Sequence, residues 1–354
     1  MKKIAIFQSD LRVGGIQKSL LNMLNEIDYT KCEIDVFVFD RAHFFDVSEH
    51  ENLNFIFLKP YAWLSRLVYF GILLRFFPID ASISSGGKKY DTAIDFNSYR
   101  SECAIGAILS NAKKCVMWIH NDVEVKKRNE IKYRILWHFF KSKLKRFDEF
   151  AAVSPGIIEG FRRASGIFDK DITAIPNYVD TEEIFHKALE PVDFRIDTNC
   201  YNLCSMGRLC HQKGFDIMID IIAQAVSRRP DVRLYIIGDG PDKDKLMKKI
   251  KRLNLENEIE LLGNLKNPFP YLDKMDGFIL TSRYEGQGIV VREAQALGLE
   301  IFIPERLEKY NPGVAGTSDL VEAIFQAERR EKKRDNLENY NRKIKDSIAR
   351  VLGI

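Results

Sequence analysis

Residues 3–27 read KIAIFQSDLRVGGIQKSLLNMLNEI, and this stretch decides the fold. Its opening run, Lys3 to Phe7, reads as a strand, apolar on both faces as a strand covered by helices must be. A glycine pair, Gly14 and Gly15, follows in the connection. Beyond it Ile16, Leu20, Met23, Leu24 and Ile27 fall at i, i+4, i+7, i+8 and i+11, the apolar stripe of an amphipathic helix. Strand, glycine turn and helix open a doubly wound α/β domain.

The same rhythm runs outward from this unit. Apolar runs at 34–39, 54–58, 91–96, 115–120, 150–154 and 173–176 predict the other strands of a parallel sheet. Residues 178–199 are acidic and turn-rich, contain Pro191 and show no period. Alternation then resumes, with strands expected at 203–206, 234–237, 259–262, 278–280 and 301–303, and helices near 215–227, 244–253 and 289–297. The expected fold class is α/β, two Rossmann-like doubly wound domains. Residues 1–187 form the first, 188–199 a linker and 200–335 the second. A charged C-terminal helix at 336–354 could pack back on the first domain. A chain of 354 residues is about the length two such cores require.

Composition narrows the function. A hydrophobic share of 45% with 29% charged residues excludes a disordered or fibrous chain. Lys+Arg 54 against Asp+Glu 50 leaves a net charge of +4, too balanced to indicate a nucleic-acid binder. No run approaches the ~18–20 apolar residues of a membrane-spanning helix. The nearest, 61–79, is interrupted by Ser65, Arg66 and Arg75. The N-terminus reaches an acid at Asp10 and reads as a buried strand rather than a signal peptide. Cys200, Cys204, Cys210 and His211 sit at spacings that could imitate a metal cluster. Cys204, however, lies in the apolar run YNLCSMG, and no paired CxxC exists, so free thiols in a reducing cytosol are expected.

Three places carry candidate chemistry. Gly14-Gly15 lets a backbone turn tightly and approach an anion, or serves as a structural turn; it lacks the third glycine of GxGxxG. SMGRLCHQKGFDIMI (205–219) puts Arg208 and Lys213 just past a predicted strand, in the crevice where open α/β sheets bind ligands. Two cations there suit a diphosphate, or are simply solvated surface charges. In SRYEGQGIVVREAQALG (282–298), Gly286 and Gly288 bracket a turn into a helix starting near Ile289, whose N-terminus favours phosphate. Glu285 and Glu293 flank that anion site. Carboxylates there would repel the ligand unless they accept hydrogen bonds from sugar or ribose hydroxyls. Diphosphate, ribose and a second sugar occur together in a nucleotide-sugar.

With these pieces in place the sequence resembles glycosyltransferase family 4, retaining nucleotide-sugar transferases of GT-B architecture. The matching motifs are GGIQKSL (14–20), WIHND (118–122), AVSPGIIEGF (152–161), IPNYVD (175–180), GRLCHQKGFD (207–216), YIIGDGPDKDKL (235–246) and SRYEGQGIVVREAQALG (282–298), in family order to about residue 303. The resemblance implies that Gly14-Gly15 faces diphosphate or acceptor and that His120 lies near the transferred sugar. It implies Arg208 and Lys213 on the diphosphate, Glu285 on the sugar hydroxyls and Glu293 on the ribose. Gly288, Ile289 and Val290 would offer backbone N–H groups to the phosphates. Read without the family, His120 is equally an ordinary strand-end histidine. Gln287 stands where the family often has an aromatic residue, Leu299-Glu300 replaces the usual small residue or proline, and no family motif aligns after Pro304.

Two segments of the first domain point toward a membrane. Residues 62–79 (AWLSRLVYFGILLRFFPI) are aromatic and basic without an acid. Residues 126–146 carry many cations and one acid, Glu130, with Ile131, Ile135, Leu136, Phe139 and Phe140 at helical spacing. Basic amphipathic stretches lie on anionic membrane surfaces; a core helix with a solvated basic face is the alternative for each. The expectation is a cytoplasmic enzyme, peripheral on the inner face of the membrane. It would move a sugar from a nucleotide-diphosphate donor to a saccharide or lipid-linked acceptor, with no nucleic-acid partner. No Asp-x-Asp sits at a strand end placed for a metal, so no cofactor or metal is expected. A nicotinamide oxidoreductase would need GxGxxG with an acid about 20 residues on, and neither half has it. A catalytically silent membrane- or polysaccharide-binding protein on the same fold is the other alternative.

Overall fold

Seven parallel strands pair in the order β3-β2-β1-β4-β5-β6-β7. They are β1 (Lys2–Gln8), β2 (Cys32–Val38), β3 (Leu53–Phe57), β4 (Thr92–Asp95), β5 (Lys114–Ile119), β6 (Glu149–Ala152) and β7 (Ile172–Ala174). The computed structural model describes residues 1–12, 14–40, 50–58, 87–110 and 112–354; the segment 62–79 lies outside the described residues. Strand order reverses beside β1, whose Ile4 is in register with Ile34 of β2 on one side and Thr92 of β4 on the other. Ile4, Ala5 and Ile6 are fully buried, as expected of a central strand between two helical layers. The helix Ser101–Leu109 approaches β1 closely, since a Cβ on Gly106 would meet the Phe7 ring at 2.4 Å.

A second sheet has five parallel strands in the order β10-β9-β8-β11-β12. These are β8 (Tyr201–Met206), β9 (Val232–Ile237), β10 (Ile259–Gly263), β11 (Gly277–Ile279) and β12 (Glu300–Phe302). The helices Phe215–Arg228 and Lys243–Arg252 contribute Phe215, Met218, Ile219, Ile222, Leu246 and Ile250 to a core with Leu203, Leu234 and Ile236. This order reverses between β8 and β11.

The chain divides into two compact units: Met1–Tyr178 with Asn339–Ile354, and Val179–Glu338. The expected boundary at 187 therefore moves back to 178/179. The residues read as periodless hold a helix, Thr181–Ala188, capped by Asp180 Oδ1 accepting from the Glu183 N–H at 2.8 Å. The C-terminal helix, expected from 336 within a charged stretch beginning near 328, spans Glu338–Leu352 and belongs to the first unit. It buries Ile344, Ile348, Val351 and Leu352, and the Tyr340 hydroxyl donates to the Asn177 carbonyl at 2.9 Å. The stretch 126–146 is not one helix. Glu130, with φ −125 and ψ 104, separates Val123–Asn129 from Ile131–Phe140, and Lys141–Arg146 tightens into a 3-10 turn.

Candidate functional site

In the second unit the switch point lies where β8 and β11 end, the place where open α/β sheets bind ligands. The loop leaving β8 carries Arg208 and Lys213; the loop leaving β11 carries Glu285 to Gly288. The structure brings Lys213 and Glu285 together. Lys213 Nζ donates to Glu285 Oε1 at 2.7 Å, and the Ser282 hydroxyl donates to the same oxygen at 2.6 Å. The Glu285 side chain is 5% exposed and that of Lys213 21%. Arg208 is exposed and forms no ion pair among the described residues, so its fork is available to an anion.

These two loops are laced to each other. The Arg283 N–H donates to the Gln212 carbonyl at 2.8 Å, Gln212 Nε2 to the Tyr284 carbonyl at 3.2 Å, and Thr281 Oγ1 to the Gly214 carbonyl at 2.9 Å. Gly214 has φ +65, and a Cβ there would stand 2.6 Å from the Thr281 carbonyl oxygen, so only glycine fits. Arg283 grips Asp216 with both terminal nitrogens at 2.8 and 2.7 Å, holding that carboxyl down to about 2. Arg306 donates to the Thr281 carbonyl at 3.1 Å and to that of Ser282.

The helix Ile289–Ala296 follows, with Gly288 at its N-cap. The three N–H groups expected on phosphate are not equivalent. That of Gly288 donates to Asn311 Oδ1 at 3.2 Å and that of Ile289 to the Gln287 carbonyl at 3.2 Å. Val290, half-buried, offers the N–H of the three that no such loop contact occupies. Gly286 is buried in the same loop, and Glu293 is 5% exposed on the helix. Among the described residues no group of three or more His, Cys, Asp or Glu side chains could hold a metal ion. Cys200 and Cys204 are buried free thiols and Cys210 is half-buried.

Gly14, Gly15 and His120 belong to the first unit, past the carboxyl ends of β1 and β5. Gly14 is extended (φ 176) at the N-cap of the helix Gly15–Asn25, and among the described residues nothing lies within 4 Å of where a Cβ on Gly15 would sit. The described residues therefore do not demand glycine at 15. His120 is 7% exposed, its ring 4.8 Å from that of Phe96, and its N–H donates to Ser98 Oγ at 3.3 Å. Nε2 is buried with no hydrogen-bond partner among the described residues. Burial pushes the imidazole down to about 3, against a smaller opposing contribution from a hydrogen bond to the Phe96 backbone, so the ring is neutral at ordinary pH.

Sequence reasoning missed several neighbours. Asp95 at the end of β4 is fully buried, with Oδ2 unpartnered among the described residues and its carboxyl held well above the usual range by burial. Ser98 and Tyr99 follow with φ +38 and +62, a conformation uncommon for such residues. The signal for Asp95 was available: an acid ending an apolar strand at the first sheet's switch point. Ser282 was also legible, three residues before Glu285. Asn311 and Arg306 were not, because they lie beyond Pro304, where no motif guides the reading.

The first unit matches the family described as Glycosyltransferase Family 4 over residues 13–183, and the second the family described as Glycosyl transferases group 1 over 187–344. An uncharacterized glycosyltransferase of Methanocaldococcus jannaschii is 28% identical over 199 residues, 54% of this chain and 48% of that protein. A Campylobacter jejuni N-acetylgalactosamine-N,N'-diacetylbacillosaminyl-diphospho-undecaprenol 4-alpha-N-acetylgalactosaminyltransferase is 34% identical over 40% of this chain and 37% of that protein. The matched stretches thus span half or less of these relatives' lengths. The crystal structure of Anabaena HepE in complex with UDP and glucose superposes over 100% of both chains with a TM-score of 0.71 at 19% identity. TarM superposes over 100% of this chain and 95% of that one, with a TM-score of 0.65 at 14% identity. Two doubly wound parallel-sheet units, one of seven strands and one of five, give the chain a GT-B fold. The chain belongs to the family-4 type of glycosyltransferases.

Proposed function

We propose that the protein transfers a sugar from a nucleotide-diphosphate donor, of the UDP-sugar class, to a saccharide or lipid-linked saccharide, with retention at the anomeric carbon. Cell-surface polysaccharide synthesis is the process it would serve, as a cytoplasmic enzyme peripheral on the inner face of the membrane. The observation that carries this reading is the Lys213–Glu285 pair that joins the β8 and β11 loops at the switch point, with Arg208 exposed on the first of these loops. In this reading Arg208 and Lys213 stabilise the departing diphosphate, Glu285 accepts hydrogen bonds from the transferred sugar and Glu293 from the ribose. Preorganised cations and a helix N-terminus stabilise developing charge without a metal. The neutral His120 would present Nε2 to the sugar as a hydrogen-bond partner rather than a charge. HepE and TarM have been crystallised with UDP, which supports the choice of nucleotide.

The test is nucleotide release across a panel of nucleotide-sugars, with membrane lipid extract as acceptor and with chelator present and absent. Turnover that survives chelation is expected, with NMR of the new linkage reporting the same anomeric configuration as the donor. Nucleotide binding without release from any donor would leave the silent binding protein instead.

A further inference from the structure

The segment that follows β12 braces the loop after β11. It opens with a 3-10 turn, Glu305–Tyr310, and holds that loop and the helix behind it in three places. Arg306 donates to the carbonyls of Thr281 and Ser282. Asn311 Oδ1 accepts from the Gly288 N–H at 3.2 Å, and Arg292, on the helix Ile289–Ala296, donates to the Pro312 carbonyl. Asn311 is fully buried, and its amide has one workable orientation. Nδ2 donates to the Leu307 carbonyl at 3.0 Å, so a flipped amide would set oxygen against oxygen there and N–H against N–H at Gly288. The Asn311 N–H donates to the Glu308 carbonyl at 2.8 Å, which fixes the backbone from which the side chain reaches. Gly288 is held as closely: a Cβ there would stand 3.2 Å from Asn311 Oδ1 and 3.3 Å from the Leu280 side chain.

This contact decides what the helix can offer an anion. Across residues 288–291, Gly288 gives its N–H to Asn311, Ile289 to the Gln287 carbonyl and Val291 to the Gly288 carbonyl. Val290 keeps the N–H that no such contact occupies. An N–H lies in its rigid peptide plane, so the direction of this one follows from how the turn at Gly288 is held. We infer that Asn311 is a positioning residue for the donor's distal phosphate, the one farther from the nucleoside: by holding Gly288 it fixes the turn from which Val290 presents its N–H. Asn311 acts through that turn, not on the substrate. This deepens the proposed function and rests on it. Without Asn311 the buried Gly288 N–H would have no acceptor, and the turn would shift to find one.

Calorimetry with UDP and UMP tests this, since only UDP carries a distal phosphate. Wild type should bind UDP about tenfold or more tightly than UMP, the worth of hydrogen bonds to a charged group. Asn311→Ala should cut that preference to about threefold or less, with UMP affinity nearly unchanged. Equal weakening of both nucleotides would show a merely structural role. With a donor that turns over, Asn311→Ala should lower kcat more than it raises KM, because charge on the departing diphosphate grows toward the transition state. Hydrogen exchange, read by NMR on the wild-type chain labelled at glycine and valine, does not depend on the variant folding. The Gly288 amide should be protected without nucleotide, and UDP should add protection at Val290. A Gly288 amide that only UDP protects overturns the role. Equal binding of UDP and UMP by wild type overturns the phosphate reading and the positioning role with it, whereas a UDP preference kept in full by folded Asn311→Ala overturns the positioning role alone.

Discussion

At the residue scale, the informative contact is that Glu285 Oε1 receives two donors, Lys213 Nζ and Ser282 Oγ. A diphosphate would draw Lys213 away. The carboxylate left behind is 5% exposed, and stripping a buried charge of its partner costs on the order of 3–5 kcal/mol. A nucleotide-sugar returns hydroxyl donors to Glu285; a bare nucleoside diphosphate does not. Glu285→Gln should therefore tighten binding of the bare nucleotide by about tenfold, roughly 1.4 kcal/mol, while abolishing the advantage of the nucleotide-sugar over it. Calorimetry with both ligands measures this, and weaker bare-nucleotide binding in the variant would refute the exchange. Glu293→Ala should instead weaken both ligands alike, since the ribose is common to them.

His120 supports a pH prediction. Its folded value, about 3, lies below the ordinary 6.5, so the unfolded chain binds a proton that the folded chain refuses. Stability is then undiminished above pH 6.5 and falls as pH drops from there toward 3. By pH 5 the loss is about 2 kcal/mol, at 1.36 kcal/mol per unit. His120→Gln should flatten this part of the acid-denaturation profile of the first unit; an unchanged slope would show that other groups govern it.

At the scale of elements, the loops after β8 and β11 act as one piece because each closes the other's backbone hydrogen bonds. Gly214 is the joint. An alanine there would bring strain at φ +65 and a clash with the Thr281 carbonyl. A loss of about 1–3 kcal/mol in denaturant unfolding of the second unit is expected, with weaker nucleotide binding. Wild-type stability in Gly214→Ala would show that the loop can yield. The strands were legible in the sequence to within a residue or two, because parallel strands buried on both faces read as unbroken apolar runs. The helix Thr181–Ala188 was not, since its signal is a cap, Asp180 with Glu183 three residues on, rather than an apolar stripe. Arg208, Lys213, Glu285 and Glu293 could be named from sequence because motif and strand end coincide. That Gly288 spends its N–H on Asn311 could not, because that acceptor lies well outside the motif.

At the scale of the molecule, the chain leaves the first unit at Tyr178, builds the second, and returns at Asn339 with the helix Glu338–Leu352. That helix belongs energetically to the first unit. Ile348 is 5% exposed, the Lys114 ammonium donates to the Val351 carbonyl at 3.1 Å, and Thr92 Oγ1 donates to that of Leu352 at 3.3 Å. Two units with separate cores should unfold in two calorimetric transitions, because two-state behaviour belongs to single domains. Ile348→Ala, which removes buried apolar volume, should lower only the first unit's transition, by about 2–5 kcal/mol. A nucleoside diphosphate held by the β8 and β11 loops should raise only the other. At a hundredfold excess over Kd the gain is about 2.7 kcal/mol, or roughly 5–10 °C for a unit of this size. If the nucleotide instead raises the transition that Ile348→Ala lowers, its binding energy comes from the first unit, and Arg208, Lys213, Glu285 and Glu293 are not its principal contacts.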